Sequence, residues 1–152
     1  MTIGEVCNRN VVHAAAGVSV REAARLMREQ HVGTVVIVDE RNGARFPVGI
    51  VTDRDIAIAV VALGLDPAVI EAGDLMAPRF AAVDESWGIA EVVQLMQVKG
   101  VHRMVVTAGD GALLGIVAKD DLLSLLAEEL SALANISSSG REREARLRRA
   151  VA

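Results

Sequence analysis

The sequence predicts an α+β fold: two β-α-β-β-α repeats with pseudo-two-fold symmetry, packed through their sheets. Three observations carry this. Gly49-Ile-Val-Thr-Asp-Arg-Asp55 returns as Gly115-Ile-Val-Ala-Lys-Asp-Asp121. A shift of 69 positions places Gly4–Cys7 on Gly73–Met76, Glu22–Met27 on Glu91–Met96 and Val35–Ile37 on Met104–Val106. The two Gly-Ile-Val segments match at a shift of 66, so the length difference falls in the loop before the second one. Length variation confined to a loop is what a duplication leaves behind.

Each element has a local reason. Val11-Val12 and Phe80–Val83 are short apolar stretches suited to extended chain. Ser19 caps a helix, with Glu22 three residues on as its capping-box partner, and Gly88 and Glu91 hold the matching positions. Ala23, Leu26 and Met27, like Val92, Leu95 and Met96, follow helical spacing. Gly100 stops the second helix, with His31 in its place in the first copy. Val35–Val38 and Met104–Thr107 read as buried strands. The loops 39–45 and 108–112 carry Asn-Gly and Asp-Gly, strong hairpin pairs. Val48–Val51 and Leu114–Val117 return, and helices follow over about Asp53–Leu63 and Lys119–Leu133. A hairpin with helices on one face leaves the other face bare; two copies packed together cover both. The organisation is repeat 1 over 4–68, repeat 2 over 69–134, and a linker and Arg-rich tail over 135–152, with Asn135–Gly140 as the linker.

Composition narrows the function. Apolar residues make up 52% of the 152 and aromatics 2%, so the core is Val, Ile, Leu, Ala and Met. Without Tyr and with one Trp, base-stacking surfaces are not expected. The longest apolar run, Ile56–Leu65, is well short of the roughly 20 residues of a membrane span. No basic segment followed by an apolar one marks the N-terminus, and a lone cysteine fits a reducing compartment, so a cytoplasmic location is expected. Net charge is −4. The tail 141–152 holds five arginines against two glutamates, which leaves the rest of the chain at −7. An acidic body argues against a broad nucleic-acid surface.

At the strand–helix junctions, Thr52-x-x-Asp55 has the spacing of a capping box, and capping alone accounts for those two residues. Cys7 matches Met76 and reads as buried and apolar. Val12, Val36 and Ile50 read as core. Trp87 reads as packing at a helix entrance. His13 and His31 lack metal-site spacing. Asp53, Asp55, Asp120 and Asp121 could attract Mg²⁺, but acids at helix starts are ordinarily dipole partners. No Ser/His/Asp set, metal-ligand spacing or Walker loop is present, so no enzyme is expected.

The duplicated Gly-Ile-Val-Thr-x-x-Asp junction, in register with two capped helices and two turn-bearing hairpins, resembles a tandem pair of cystathionine-β-synthase (CBS) domains, a Bateman module of the small stand-alone bacterial type. The resemblance covers about residues 4–134. It implies a cleft with two related sites for adenosyl ligands: AMP, ADP, ATP or S-adenosylmethionine, none of them a required cofactor. It implies that Thr52 contacts ribose or phosphate, that Asp55 accepts from ribose hydroxyls, and that Arg54 adds charge for phosphate. In the second copy Asp121 is kept, but Ala118 replaces the hydroxyl residue. His102-Arg103 is similar to pairs that place a cation near phosphate in the family, as in the regulatory subunit of AMP-activated kinase. Ion pairing at the surface is the alternative for Arg103, and packing for His102. The resemblance further implies a non-enzymatic sensor that signals to an unidentified protein partner, and a homodimer formed through Ile56–Leu63 and Leu122–Leu133. The competing reading is a ligand-free dimeric interaction protein acting through its surface and tail.

Overall fold

The computed structural model describes the backbone of residues 1–76 and 80–150. The chain divides into two units, Met1–Val117 and Ala118–Ala152. The first contains α1 (Ile3–Val6), β1 (His13–Ala15), α2 (Val20–Gln30), β2 (Thr34–Arg41), β3 (Ala44–Thr52), α3 (Asp53–Ile56), β4 (Ala82–Asp84), α4 (Ile89–Lys99), β5 (Arg103–Thr107) and most of β6 (Leu113–Ala118). The second is α5 (Lys119–Ala150).

The strands form two three-stranded sheets, ordered β1-β2-β3 and β4-β5-β6. In each, the first two strands run parallel. The β2–β3 turn uses Asn42 and Gly43, at φ 52° and 79°, the left-handed pair that a two-residue hairpin needs. Register runs from Thr34↔Thr52 to Arg41↔Ala44, with Ile37 opposite Gly49 and Val38 opposite Pro47. Val48 is therefore the extra residue of a bulge. That bulge lets edge strand β3 carry a proline, which has no N–H for the ladder.

Strand alternation sorts the core into two faces. Val35, Ile37 and Val51 pack with Ala23 and Met27 of α2. Val36 and Val38 pack with Val105, joined by Ile50, Leu113 and Ile116, so the other face of β2–β3 meets the second sheet. Val36 and Ile50 are thus inter-sheet core, whereas Val12 packs on the helix side.

The two repeats exchange their leading segments. Ile3 N–H donates to Trp87 O (2.7 Å) and Gly4 N–H to Glu85 O (3.0 Å). Shifted by 69, the same bonds recur: Ala72 N–H to Val18 O and Gly73 N–H to Ala16 O, both 2.8 Å. The bridge Thr2↔Gly88 likewise recurs as Ser19↔Glu71. This reciprocity is the pseudo-two-fold relation written in hydrogen bonds. It also explains the glycine that opens each junction motif. A Cβ on Gly49 would strike the Met76 side chain, and one on Gly115 would strike Cys7 Sγ and the Asn8 carbonyl. Cys7 is buried, and burial pushes its thiol above the ordinary value.

Four expectations are corrected. Ser19 Oγ accepts from Glu22 N–H (3.2 Å), but the Glu22 carboxylate does not close the box; it takes two donors from Arg25 (2.7 and 3.1 Å), whose charge outbids a backbone amide. The helix expected over Asp53–Leu63 is α-helical only to Ile56 and widens into a π-turn over Ala57–Val61. The wider turn carries Val60 inside and leaves Ile58, Val61 and Leu63 exposed. The helix expected to stop at Leu133 instead runs to Ala150. It passes without a break through Asn135–Gly140, where the sequence suggests a linker. Propagating a helix costs little compared with nucleating one, so Asn135, three serines and a glycine between Leu/Ala-rich and Arg/Glu-rich flanks do not end it. Trp87 shapes a helix entrance through its carbonyl, while its side chain is 39% exposed.

Candidate functional site

The β3–α3 junction brings Thr52 and Asp55 together. Asp55 Oδ2 accepts from Thr52 N–H (2.8 Å) and from Thr52 Oγ1–H (2.7 Å), while Asp55 N–H donates to Thr52 Oγ1 (3.2 Å). The capping-box reading is therefore correct, and it has a consequence for binding. Both bonds to the carboxylate fall on Oδ2, and Oδ1 has no donor among the described residues. The cap fixes one oxygen and presents the other. Such a carboxylate can take a pair of vicinal hydroxyls without reorganising.

Around it, Asp53 N–H donates to Gly33 O (3.1 Å), and the Asp53 carboxylate lies so close over Gly33 that a Cβ there would meet Oδ2 at 2.9 Å. Arg54 is exposed and makes no side-chain bond or ion pair among the described residues. His102 and Arg103, at the start of β5, are exposed and equally unengaged there. In the second unit, Asp121 Oδ2 accepts from Ala118 N–H (3.0 Å) alone, since Ala118 has no hydroxyl to add. The six expected residues thus lie on or beside four elements, β3, α3, β5 and α5, and among them only Thr52 and Asp55 share a side-chain hydrogen bond.

One residue of this region escapes sequence reasoning. Thr34 opens β2 directly opposite Thr52. It is 9% exposed, and its Oγ1 is buried with no hydrogen-bond partner among the described residues. A buried hydroxyl left unpaired costs about 1–3 kcal/mol. By alternation from Val36 and Ile50, Thr34 and Thr52 both face the inter-sheet side. The repeat shift of 69 would have flagged Thr34, because its counterpart is Arg103.

A separate cavity of about 660 Å³ lies toward the hairpin end of the first sheet, lined among others by His13, Ala15, Val38, Asp39 and Val48. His13 is held at its rim: Nδ1 lies 3.1 Å from Val11 O, and Arg45 Nη1 donates to Nε2 at 2.8 Å, which fits the Nδ1–H tautomer. Among the described residues no three His, Cys, Asp or Glu side chains are placed to share a metal ion. No helix there is long and apolar enough to cross a membrane.

Comparison with known proteins agrees with this architecture. The family model for the CBS domain matches residues 3–62 and 72–128. The uncharacterized protein MK0525 of Methanopyrus kandleri is 37% identical over 125 residues, 82% of this chain and 62% of MK0525. The hexameric CBS-CP12 protein from bloom-forming cyanobacteria superposes with a TM-score of 0.70 at 30% identity, over 81% of this chain and 66% of that one. This chain therefore spans less than two thirds of either protein's length. The CBS domain protein PAE2072 from Pyrobaculum aerophilum, solved in complex with AMP, gives a TM-score of 0.74 at 25% identity, over 86% of this chain and 99% of its own. CBS domains are generally non-catalytic regulatory modules, and this chain belongs to the CBS domain family as a tandem pair.

Proposed function

We propose that the chain is a non-enzymatic sensor that binds an adenosine-type nucleotide at the β3–α3 junction, on the side facing the second repeat, and signals by a change in conformation or in dimer geometry. The observation that carries this reading is the Asp55 carboxylate, held by Thr52 through one oxygen and open at the other. The AMP complex of PAE2072 supports the ligand class. Asp55 would accept from the ribose hydroxyls, Thr52 would line the ribose-phosphate, and Arg54 would supply charge. In the second repeat Asp121 keeps a carboxylate, but Ala118 contributes no polar group. One principal site per chain follows, in repeat 1 (4–68), with a weaker one in repeat 2 (69–134). Signalling requires that the ligand favour one of two states.

Thermal unfolding in the presence of AMP, ADP, ATP and S-adenosylmethionine tests this. At least one of them should raise the midpoint, and Asp55→Ala should abolish the rise. A folded wild-type protein that responds to none of them contradicts the reading.

The competing reading, a ligand-free dimeric interaction protein acting through its surface and Arg-rich tail (135–152), is favoured by α5. Leu123, Leu126, Leu130 and Leu133 are 46–68% exposed at heptad spacing, a face suited to a second copy. A homodimer belongs to both readings; in the second, it forms and recruits its partner whatever the nucleotide level.

A further inference from the structure

We propose that α5 pairs antiparallel with α5 of a second copy, the acidic first half of each helix lying on the basic second half of the other. This rests on the homodimer that both readings above contain, and it is independent of the nucleotide site.

Three observations converge on it. The first is that α5 outruns the domain it ends. The CBS family match stops at residue 128, whereas the helix continues to Ala150, so its 32 residues span about 48 Å. The second is a seam. Leu123, Leu126, Leu130 and Leu133 recur at alternating spacings of three and four, and Leu147 falls two heptads beyond Leu133 on the same line. All five are 46–68% exposed. A line of leucines bare to water along a helix is a coiled-coil seam that lacks its second strand.

The third observation is charge, and it sets the direction. Residues 119–133 carry Asp120, Asp121, Glu128 and Glu129 against Lys119, a net −3, while 141–150 carry five arginines against two glutamates, a net +3. Glu128, Glu129, Arg143 and Arg146 are exposed. A parallel pair would lay acid on acid and base on base. An antiparallel pair lays each on its opposite, which is how flanking charges choose orientation in coiled coils. The seam fixes the register. Setting Leu123 against Leu147 of the partner copy brings Leu126, Leu130 and Leu133 against positions 144, 140 and 137, where the sequence has no large apolar residue. In a parallel pair those three positions would meet their own copies and leave consecutive layers unfilled. The same register sets Glu129 beside Arg143 of the partner copy. A second copy thus supplies both the apolar strip that the leucines lack and the opposite charge that each half lacks.

Sedimentation equilibrium of the full-length protein reads the dimer, with circular dichroism confirming that each variant is folded. Arg143→Glu should weaken dimerisation about tenfold, because it sets like charges side by side. Adding Glu129→Arg restores the pairing and should return the dissociation constant to within about threefold of wild type. Orientation is read by cysteine cross-linking under mild oxidation, since Cys7 is buried. Leu123→Cys together with Leu147→Cys should give a covalent dimer. Leu123→Cys alone should not, because 24 residues of helix hold the two thiols about 36 Å apart. A covalent dimer from Leu123→Cys alone means a parallel pair and overturns the inference. A dimer that Arg143→Glu leaves unchanged overturns it too, since the interface then lies elsewhere. A wild-type protein that stays monomeric also overturns it; if that monomer binds heparin and loses binding in Arg143→Glu, the basic half serves a polyanion instead. None of these outcomes bears on AMP binding, so the nucleotide reading stands or falls by its own titration.

Discussion

The two strand–helix junctions descend from one sequence and now hold their carboxylates differently. At the first, Asp55 is tied by three hydrogen bonds shared with Thr52. At the second, Asp121 keeps one bond, from the Ala118 amide. The first carboxylate is fixed in direction and the second can turn. Preorganisation is where binding free energy is saved, since a group already aimed at its ligand loses little freedom on binding. The first junction sets Thr34 opposite Thr52, and the repeat places Ala118 where the first copy has Thr52. One carboxylate is thus fixed by its cap, and the other is held by a single backbone bond.

The largest effect that breaks the comparison lies at the glycines opening the motifs. Gly115→Ala drives its methyl into Cys7 Sγ and into the Asn8 carbonyl at 2.9 Å, and backbone cannot move aside cheaply. A loss of about 2–3 kcal/mol in urea-unfolding free energy is expected. Gly49→Ala meets Met76 first, whose outer atoms can swing aside although its Cβ at 3.0 Å must give slightly, and should cost about 1 kcal/mol. Equal losses would mean that the exchanged segments are not held as unequally as the two clamps imply.

Next come the caps. Thr52→Ala converts the first junction into a copy of the second and should cost about 1 kcal/mol, together with most of the nucleotide response. Ala118→Thr performs the reverse exchange and should recover a similar amount, read by the shift of the unfolding midpoint. If Ala118→Thr is neutral, the difference in hydrogen bonding between the junctions is not energetic.

The smallest effect is pH-dependent and separates the turns that follow β1 and β4. Asp84 accepts from the Ser86 hydroxyl and the Ser86 amide (2.9 Å), and these bonds hold its carboxyl below the ordinary value. Ala15 and Gly17 stand at the matching positions in repeat 1. A lowered folded pKa contributes stability above the unfolded value, lost as pH falls through the folded one. Ser86→Ala should therefore be slightly less stable than wild type at pH 6, with the gap closing below about pH 4. A gap that persists at pH 2 would assign the effect to something other than this carboxylate.

Much of this was legible in the chain. The repeat, the Asn42-Gly43 turn, the left-handed stops at His31 and Gly100 and the burial of Cys7 all follow from local chemistry that tertiary contacts did not override. The π-turn at Ala57–Val61 was not legible, because an apolar run has the same residues whether or not the helix widens to bury Val60. The run of Ser and Gly near 137–140 carries linker chemistry, yet cooperativity along α5 outweighs it. Thr34 carries no mark in the sequence for another reason: a Thr at the start of a strand is ordinary until burial shows that its hydroxyl has no partner among the described residues. At the junction itself, Thr52 and Asp55 were found by their spacing, but the free Oδ1 that makes a cap a candidate site is visible only in three dimensions.

The most direct test of one principal site per chain, organised by Asp55, is the stoichiometry of AMP binding by titration calorimetry of wild type, Asp55→Asn and Asp121→Asn. The account predicts one tight site per chain, lost in Asp55→Asn and retained in Asp121→Asn. Two equal sites, or a tight site lost only in Asp121→Asn, would contradict it.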